Sequence, residues 1–249
     1  MPPIGRCNGV WRYALPHGRG PVKAEDKGMA SDLALYGYWR STTTYRVRIA
    51  LGLKELAWDN RPVHLVRDGG EQHADAYRSL NPQELVPALR HGDRVITQSL
   101  AIVEYLDEVY PDPPLLPTDP RGRARVRAIA LAIACDVHPL GNLSVLQQLG
   151  DRFGADDAQR ADWSRHWMAR GFGAIEALLA DNVATGAFCH GDTPTLADIC
   201  LVPQLYNAAR WQLPLDDYPT IRRIHAACQE LDAFRLAAPE LQPDAPSAS

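Results

Sequence analysis

Between residues 32 and 110 the apolar positions change their spacing repeatedly, and each change marks an element. Residues 32–38 form a short β-prone run that ends in the turn Gly37-Tyr38-Trp39-Arg40. Ser41 then offers an N-cap, and Val47, Ala50, Leu51 and Lys54 fall at helical spacing, which predicts a helix to about Lys54. Residues 61–66 alternate apolar and polar and read as a second strand. A short helical stretch follows at 72–79. Beyond Asn81-Pro82, residues 85–90 and 95–97 flank a Gly92-Asp93 turn, the pattern of a hairpin. Ser99 caps a helix over 99–109, with Ile102, Val103 and Leu106 on one face.

The resulting order, β-α-β-α-β-β-α, is that of an α/β thioredoxin-like domain. The pattern then changes character. Five prolines between residues 111 and 120 cannot continue a helix and make a stiff connector. After it only the helical period is found, over 121–148 (with Pro139 bending it), 157–180, 195–209 and 218–230. The expected organisation is a disordered extension over 1–30, a thioredoxin-like domain over 31–112, a linker over 113–120, an all-helical domain over 121–240 and a flexible tail over 241–249. The first 28 residues hold five Gly, four Pro and no Ser, and read as upstream sequence ahead of a start at Met29.

Composition narrows the function classes. The 249 residues are 46% hydrophobic and 22% charged, an ordinary globular balance. Twenty-six Lys and Arg against 30 Asp and Glu leave a net charge of −4, which argues against a nucleic-acid partner. The longest uninterrupted apolar run, 128–135, is far short of the ~18–20 residues that span a bilayer, so no membrane partner is expected. Cys7, Cys135, Cys189, Cys200 and Cys228 form no CxxC pair and no HExxH occurs, so neither a disulfide scaffold nor a metal site is expected. A reducing cytoplasm fits these thiols, most of which read as small buried hydrophobes.

Three short segments carry candidate chemistry. Ser41-Thr42-Thr43-Thr44 places four hydroxyls at a helix N-terminus, where N–H groups and the dipole favour an anion. A hydroxyl there can donate to a thiolate; the same cluster also serves as an ordinary cap. Lowering a thiol pKa by about two units from ~8.5, roughly 2.7 kcal/mol, makes it mostly thiolate at pH 7. In Leu85-Val86-Pro87-Ala88 a cis Val–Pro bond would turn the Val86 N–H and C=O outward to pair with an extended peptide, although a plain strand-entry proline reads the same way. Gln98-Ser99, at a strand-to-helix junction, makes a carboxylate cradle or a simple cap. Together the three describe one ligand, an anionic thiol-bearing peptide with the chemistry of glutathione.

The segment Arg40-Ser41-Thr42-Thr43-Thr44-Tyr45-Arg46-Val47-Arg48-Ile49-Ala50-Leu51 resembles the motif S-S-C-x-W-R-V-R-I-A-L of the zeta-class glutathione transferases, the maleylacetoacetate isomerase family. Asn81-Pro82-x-x-x-Val86-Pro87, Gln98-Ser99-Leu100-Ala101-Ile102, Asn142-Leu143-Ser144-Val145-Leu146 and Asp192-x-x-x-Leu196-Ala197-Asp198-Ile199-Cys200-Leu201-Val202-Pro203-Gln204 are also similar, so the resemblance covers about 33–243. It implies the glutathione transferase fold and a homodimer, with the thioredoxin-like domain of one subunit against the helical domain of the other. It makes Ser41 the thiol-activating hydroxyl, with Thr42 and Thr43 beside the sulfur. Gln72 and the Val86 main chain would hold the peptide body of glutathione, and Gln98 and Ser99 its γ-glutamyl end. His138, Asn142 and Ser144 would line the helical side, and Arg210 would hold a substrate carboxylate, with Arg40 a weaker candidate.

Two residues depart from the family pattern. Thr43 stands where the motif has Cys, which disfavours thiol–disulfide chemistry, and His138 stands where Gln is usual. The implied activity is cis–trans isomerisation of maleylacetoacetate to fumarylacetoacetate in tyrosine and phenylalanine catabolism. The alternatives are maleylpyruvate as substrate, a transferase acting on α-halo acids, or a non-catalytic binding module. Thr195-Leu196-Ala197-Asp198 reads as a folding element, a capping box. Arg121, Arg123, Arg125 and Arg127 read as a solvated face.

Overall fold

A computed structural model describes residues 32–246. The expected extension over 1–30, and Cys7 with it, lie outside the described residues. The chain divides into two compact units, one reaching to Pro113 and resuming at Leu236, the other spanning Pro114–Arg235.

The first unit is built on four strands in the order β2-β1-β3-β4: β1 (Leu33–Gly37), β2 (Asp59–Pro62), β3 (Ala88–His91) and β4 (Arg94–Thr97). β1 and β2 run parallel across helix α1 (Thr42–Leu53), whereas β3 is antiparallel to both β1 and β4. The one-turn helix α2 (Asp75–Arg78) precedes β3, and α3 (Ser99–Val109) follows β4. Leu35, Val47, Leu51, Leu89, Ile102 and Leu106 form the dry centre.

Two elements differ from the sequence reading. The second strand lies at Asp59–Pro62, not 61–66, because after Val63 the backbone turns away: the His64 N–H donates to the Glu71 carboxylate (2.7 Å) instead of to a strand. The stretch 72–79 is no single helix either. A 3₁₀ turn Glu71–His73 is separated from α2 by the extended backbone of Ala74 (ψ 143°).

α1 is buried on nearly every face, and its Arg48 and its C-cap Lys54 are buried against polar partners. Lys54 Nζ donates to Asp107 Oδ1 and to the carbonyls of Tyr110 and Pro113, each at 2.6 Å. Arg48 donates to the carbonyls of Ala237 (3.0 Å) and Trp39 (2.9 Å). Burying a charge is tolerated only with such pairing.

Contacts of Gln242 and Asp244 bear on the expected tail. Residues 241–246 are held rather than loose: Gln242 is buried and caps the turn Pro239–Leu241, and Asp244 Oδ2 accepts the Trp39 N–H (2.9 Å). The segment from Leu236, expected to belong to the helical domain up to residue 240, therefore packs with the first unit.

The second unit is helical: α4 (Pro120–Leu131), α5 (Leu143–Phe153), α6 (Asp157–Leu179), α7 (Leu196–Arg210), α8 (Pro219–Gln229) and α9 (Asp232–Arg235). The expected helix over 121–148 is broken. α4 loosens into a π turn (Ala132–Val137), tightens into the 3₁₀ turn His138–Gly141 around Pro139, and leaves helical geometry at Asn142 (ψ 149°) before α5. By length and composition alone, the run Pro120–Phe153 would suffice to cross a membrane, but it is this interrupted path and not one straight rod.

α7 is the central helix, buried along most of its length. Its start is the Thr195/Asp198 capping box, in which Asp198 also accepts the Cys189 N–H (2.8 Å). Arg125 is not on a solvated face. It donates to the Cys189 carbonyl (2.6 Å) and Thr185 Oγ1 (2.7 Å), and burial lowers its pKa. Cys189, Cys200 and Cys228 are buried, and burial pushes the Cys189 and Cys228 thiols well up; Cys135 is exposed.

Candidate active site

The first unit gathers Ser41, Thr43 and Val86 into one hydrogen-bonded chain. Ser41 is the N-cap of α1, and its Oγ accepts the Thr44 N–H (3.2 Å). Thr43 Oγ1 donates to the Val86 carbonyl (2.9 Å) and lies 2.8 Å from Ser41 Oγ. Thr43 has one hydroxyl proton, so once that proton is on the Val86 carbonyl, the Ser41 hydroxyl is the donor in the remaining contact. The Ser41 proton thus rests on Thr43. Rotation of the O–H bond, with no heavy atom moving, can redirect it to another acceptor. Thr42 is buried beside this chain.

Val86–Pro87 is a cis peptide, as the sequence suggested. The Val86 carbonyl, however, is not free for a peptide, because Thr43 occupies it; among the described residues the Val86 N–H meets no acceptor. The approach to Val86 is fixed by buried Asn81, whose Nδ2 donates to the Leu85 carbonyl (2.7 Å). Tyr77 Oη donates to the same carbonyl (2.6 Å), and burial raises its pKa to about 12, so it stays a donor.

Ser99 is not the cap of α3. The N-cap is Gln98, held at φ 70° with no side-chain capping bond, and Ser99 is the first helical residue. Its Oγ accepts instead from the guanidinium of Arg46 (3.3 Å), which is 2% exposed. α3 therefore offers N–H groups without a side-chain cap and has a buried positive charge behind them, two features that favour a carboxylate. Arg46 was missed from the sequence; the available signal was a cation set between apolar positions inside the motif. Gln98 Nε2 donates to Gln83 Oε1 (2.8 Å) in an exposed pairing.

Gln72 is 7% exposed. Its Nε2 donates to the Leu65 carbonyl (3.3 Å), and its Oε1 is buried with no hydrogen-bond partner among the described residues. Arg40 lies over the Trp39 ring, 5.4 Å from its centroid.

In the second unit, His138 opens the 3₁₀ turn and is half-buried. Asn142 is the N-cap of α5, its Oδ1 accepting the Ser144 N–H (3.4 Å), and Ser144 is exposed on the first turn. Arg210 is the last residue of α7, exposed and 4.9 Å from the centroid of the Trp211 ring. Among the described residues no cluster of His, Cys, Asp and Glu could hold a metal.

Residues 35–114 match the family model for the glutathione S-transferase N-terminal domain, and residues 157–227 that for its C-terminal domain. The maleylacetoacetate isomerase of Pseudomonas aeruginosa is 49% identical over 217 residues, 87% of this chain and 100% of that protein. A bacterial zeta-class glutathione S-transferase solved in its holo form, a maleylpyruvate isomerase, is 51% identical at a TM-score of 0.83, covering 86% of this chain and 100% of that one. A maleylacetoacetate isomerase of Methylobacterium extorquens, solved with malonate and glutathione bound, is 40% identical at a TM-score of 0.81, covering 86% and 100%. The chain belongs to the glutathione S-transferase family, within the zeta class that holds these isomerases.

Proposed function

We propose that the chain is a glutathione-dependent cis–trans isomerase that converts maleylacetoacetate to fumarylacetoacetate in tyrosine and phenylalanine catabolism. The observation that carries this reading is the Ser41 hydroxyl at the open end of α1, poised on Thr43 and beside the Val86 main chain. The first unit fits glutathione at three further points: a buried amide oxygen lacking a partner on Gln72, the Val86 N–H, and the N-terminus of α3 with Gln98, Ser99 and the Arg46 charge.

When bound, glutathione supplies the thiolate whose addition to the conjugated carbon, and later expulsion, frees the double bond to rotate. Ser41 donates to the sulfur and holds it ionised, while Thr44 N–H keeps Ser41 Oγ in place. Thr42 and Thr43 shape the sulfur's surroundings. The Val86 N–H and Gln72 bind the peptide body; Gln98, Ser99 and the α3 N–H groups bind the γ-glutamyl carboxylate. In the helical unit, Arg210 clamps a substrate carboxylate, and His138, Asn142 and Ser144 supply polar groups toward the ligand. Arg40, stacked on Trp39, is the second cation for this role.

Maleylpyruvate is the second reading, favoured by one observation: identity to the holo maleylpyruvate isomerase (51%) matches that to the Pseudomonas maleylacetoacetate isomerase (49%). Both substrates are dicarboxylates needing the same bond rotation. The test is retention on immobilised glutathione followed by maleylacetone and maleylpyruvate assays with and without glutathione. We expect retention and strictly glutathione-dependent turnover; equal turnover without glutathione contradicts the reading. We further propose a cytoplasmic homodimer, which light scattering would contradict by reporting a 27.5 kDa particle at micromolar concentration.

A further inference from the structure

Gln72 poses a problem that its own position does not solve. A side-chain amide can be placed with either its oxygen or its nitrogen forward, and the two orientations differ only in the bonds around them. Here both neighbours impose the same choice. The Leu65 carbonyl can only accept, so it requires Nε2 on its side (3.3 Å). His73 Nε2 lies 2.9 Å from the same Gln72 nitrogen and must also accept.

His73 accepts at Nε2 only if its proton sits on Nδ1, and Glu84 enforces that. The Glu84 carboxylate contacts His73 Nδ1 and also forms an ion pair with Arg78, whose Nε lies 3.0 Å from Glu84 Oε1. The His73 bond, with the Arg78 charge adding to it, holds the Glu84 carboxyl below the usual range, so it is an acceptor at neutral pH. Glu84 is held for this at φ 57°, a left-handed backbone uncommon for a residue with a side chain. Its backbone is tied by its own N–H to the Asn81 carbonyl (2.9 Å).

On the other flank, Gly70 has φ 104°, and a Cβ there would sit 2.4 Å from Gln72 Nε2. The room for the amide is thus kept by an absent side chain. With both Nε2 contacts committed, Oε1 is left buried and without a partner.

We propose that Glu84 and His73 are positioning residues. They lock the Gln72 amide with its nitrogen turned back into the protein and its oxygen reserved as an acceptor, so that this point of the site takes a peptide N–H or ammonium donor rather than a carboxylate. The inference rests on the reading of Gln72 as a glutathione contact, and it assigns to Glu84 and His73, eleven residues apart, a role in glutathione recognition without touching it.

The test uses the full chain and calorimetric binding of glutathione to Gln72→Ala, His73→Leu, His73→Gln and Glu84→Ala, with nitrogen-15 chemical shifts of the His73 ring in the ligand-free protein. Gln72→Ala and His73→Leu should each weaken binding roughly tenfold, as expected for one hydrogen bond lost. His73→Gln, whose amide oxygen can stand in for Nε2, should restore most of the affinity. Adding Glu84→Ala to Gln72→Ala should cost nothing more, because both act through one amide. The ring should carry its proton on Nδ1 in the wild type and lose that preference in Glu84→Ala. If Gln72→Ala weakens binding while His73→Leu does not, or if the losses add in full, the positioning role is wrong. If Gln72→Ala binds as well as wild type, the reading of Gln72 as a contact falls first, and the positioning role with it.

Discussion

The two helices that open onto the candidate site begin with a serine in different ways. At α1, Ser41 is a true N-cap: its oxygen accepts the Thr44 N–H, and its proton, resting on Thr43, can be turned to a ligand. At α3, Gln98 occupies the cap position at φ 70° and provides no side-chain cap, while Ser99 turns to the buried Arg46. The first end is therefore suited to hold one atom that wants a donor, a thiolate. The second keeps N–H groups and a positive charge open to a whole carboxylate. Two serines in similar sequence settings thus make different hydrogen bonds, and the backbone at the cap decides which.

The largest effect we expect lies outside both helix ends and tests whether the comparison is complete. Arg210→Ala should raise KM for the dicarboxylic substrate roughly ten- to a hundredfold, the worth of a charged hydrogen bond, and leave KM for glutathione alone. Equal rises in both would mean that substrate competes for the α3 end and that the two ligands share one anion site.

Ser41→Ala comes next and probes the α1 end. Turnover should fall roughly tenfold or more, since each pKa unit is a factor of ten in thiolate. Loss of the cap should also cost about 1 kcal/mol in urea unfolding. Unchanged turnover with lowered stability would reduce Ser41 to a cap.

At the α3 end the signs should oppose. Gln98→Gly relieves a backbone that strains a residue with a side chain, so stability should rise by about 1 kcal/mol. Glutathione should bind several-fold more weakly for want of the amide, by about the ~1 kcal/mol of one hydrogen bond. A gain in both would show that the strain serves no ligand.

The smallest change should come from Asp244→Ala, which removes the acceptor of the Trp39 N–H two residues before Ser41. We expect a loss of about 1 kcal/mol in stability and a modest fall in turnover. No change in either would mean that the C-terminal segment does not support the α1 end.

What could be read from sequence was local. The Ser41 cap, the helix over 99–109 and the Thr195/Asp198 box each depend on residues within a few positions, and the structure has them. The α1 cations were opaque because their partners are distant: Asp107 for Lys54, Ser99 for Arg46, Ala237 for Arg48. The same holds for the C-terminal segment, whose composition resembles a loose tail but whose Asp244 is bound 205 residues away. Ser99 misled because a φ of 70° at Gln98 has no sequence mark; only a glycine there would have given one. Among the site residues, Thr43 looked like a missing cysteine, and its bond to Val86 explains what a hydroxyl does in that place.

The most direct test of the account is the ionisation of bound glutathione, read by ultraviolet absorbance of the thiolate across pH in the wild type and in Ser41→Ala. The account predicts a thiol pKa about two units below the free value of ~8.5 in the wild type, returning most of the way in Ser41→Ala while glutathione still binds. A bound thiol with the same pKa in both proteins would contradict it.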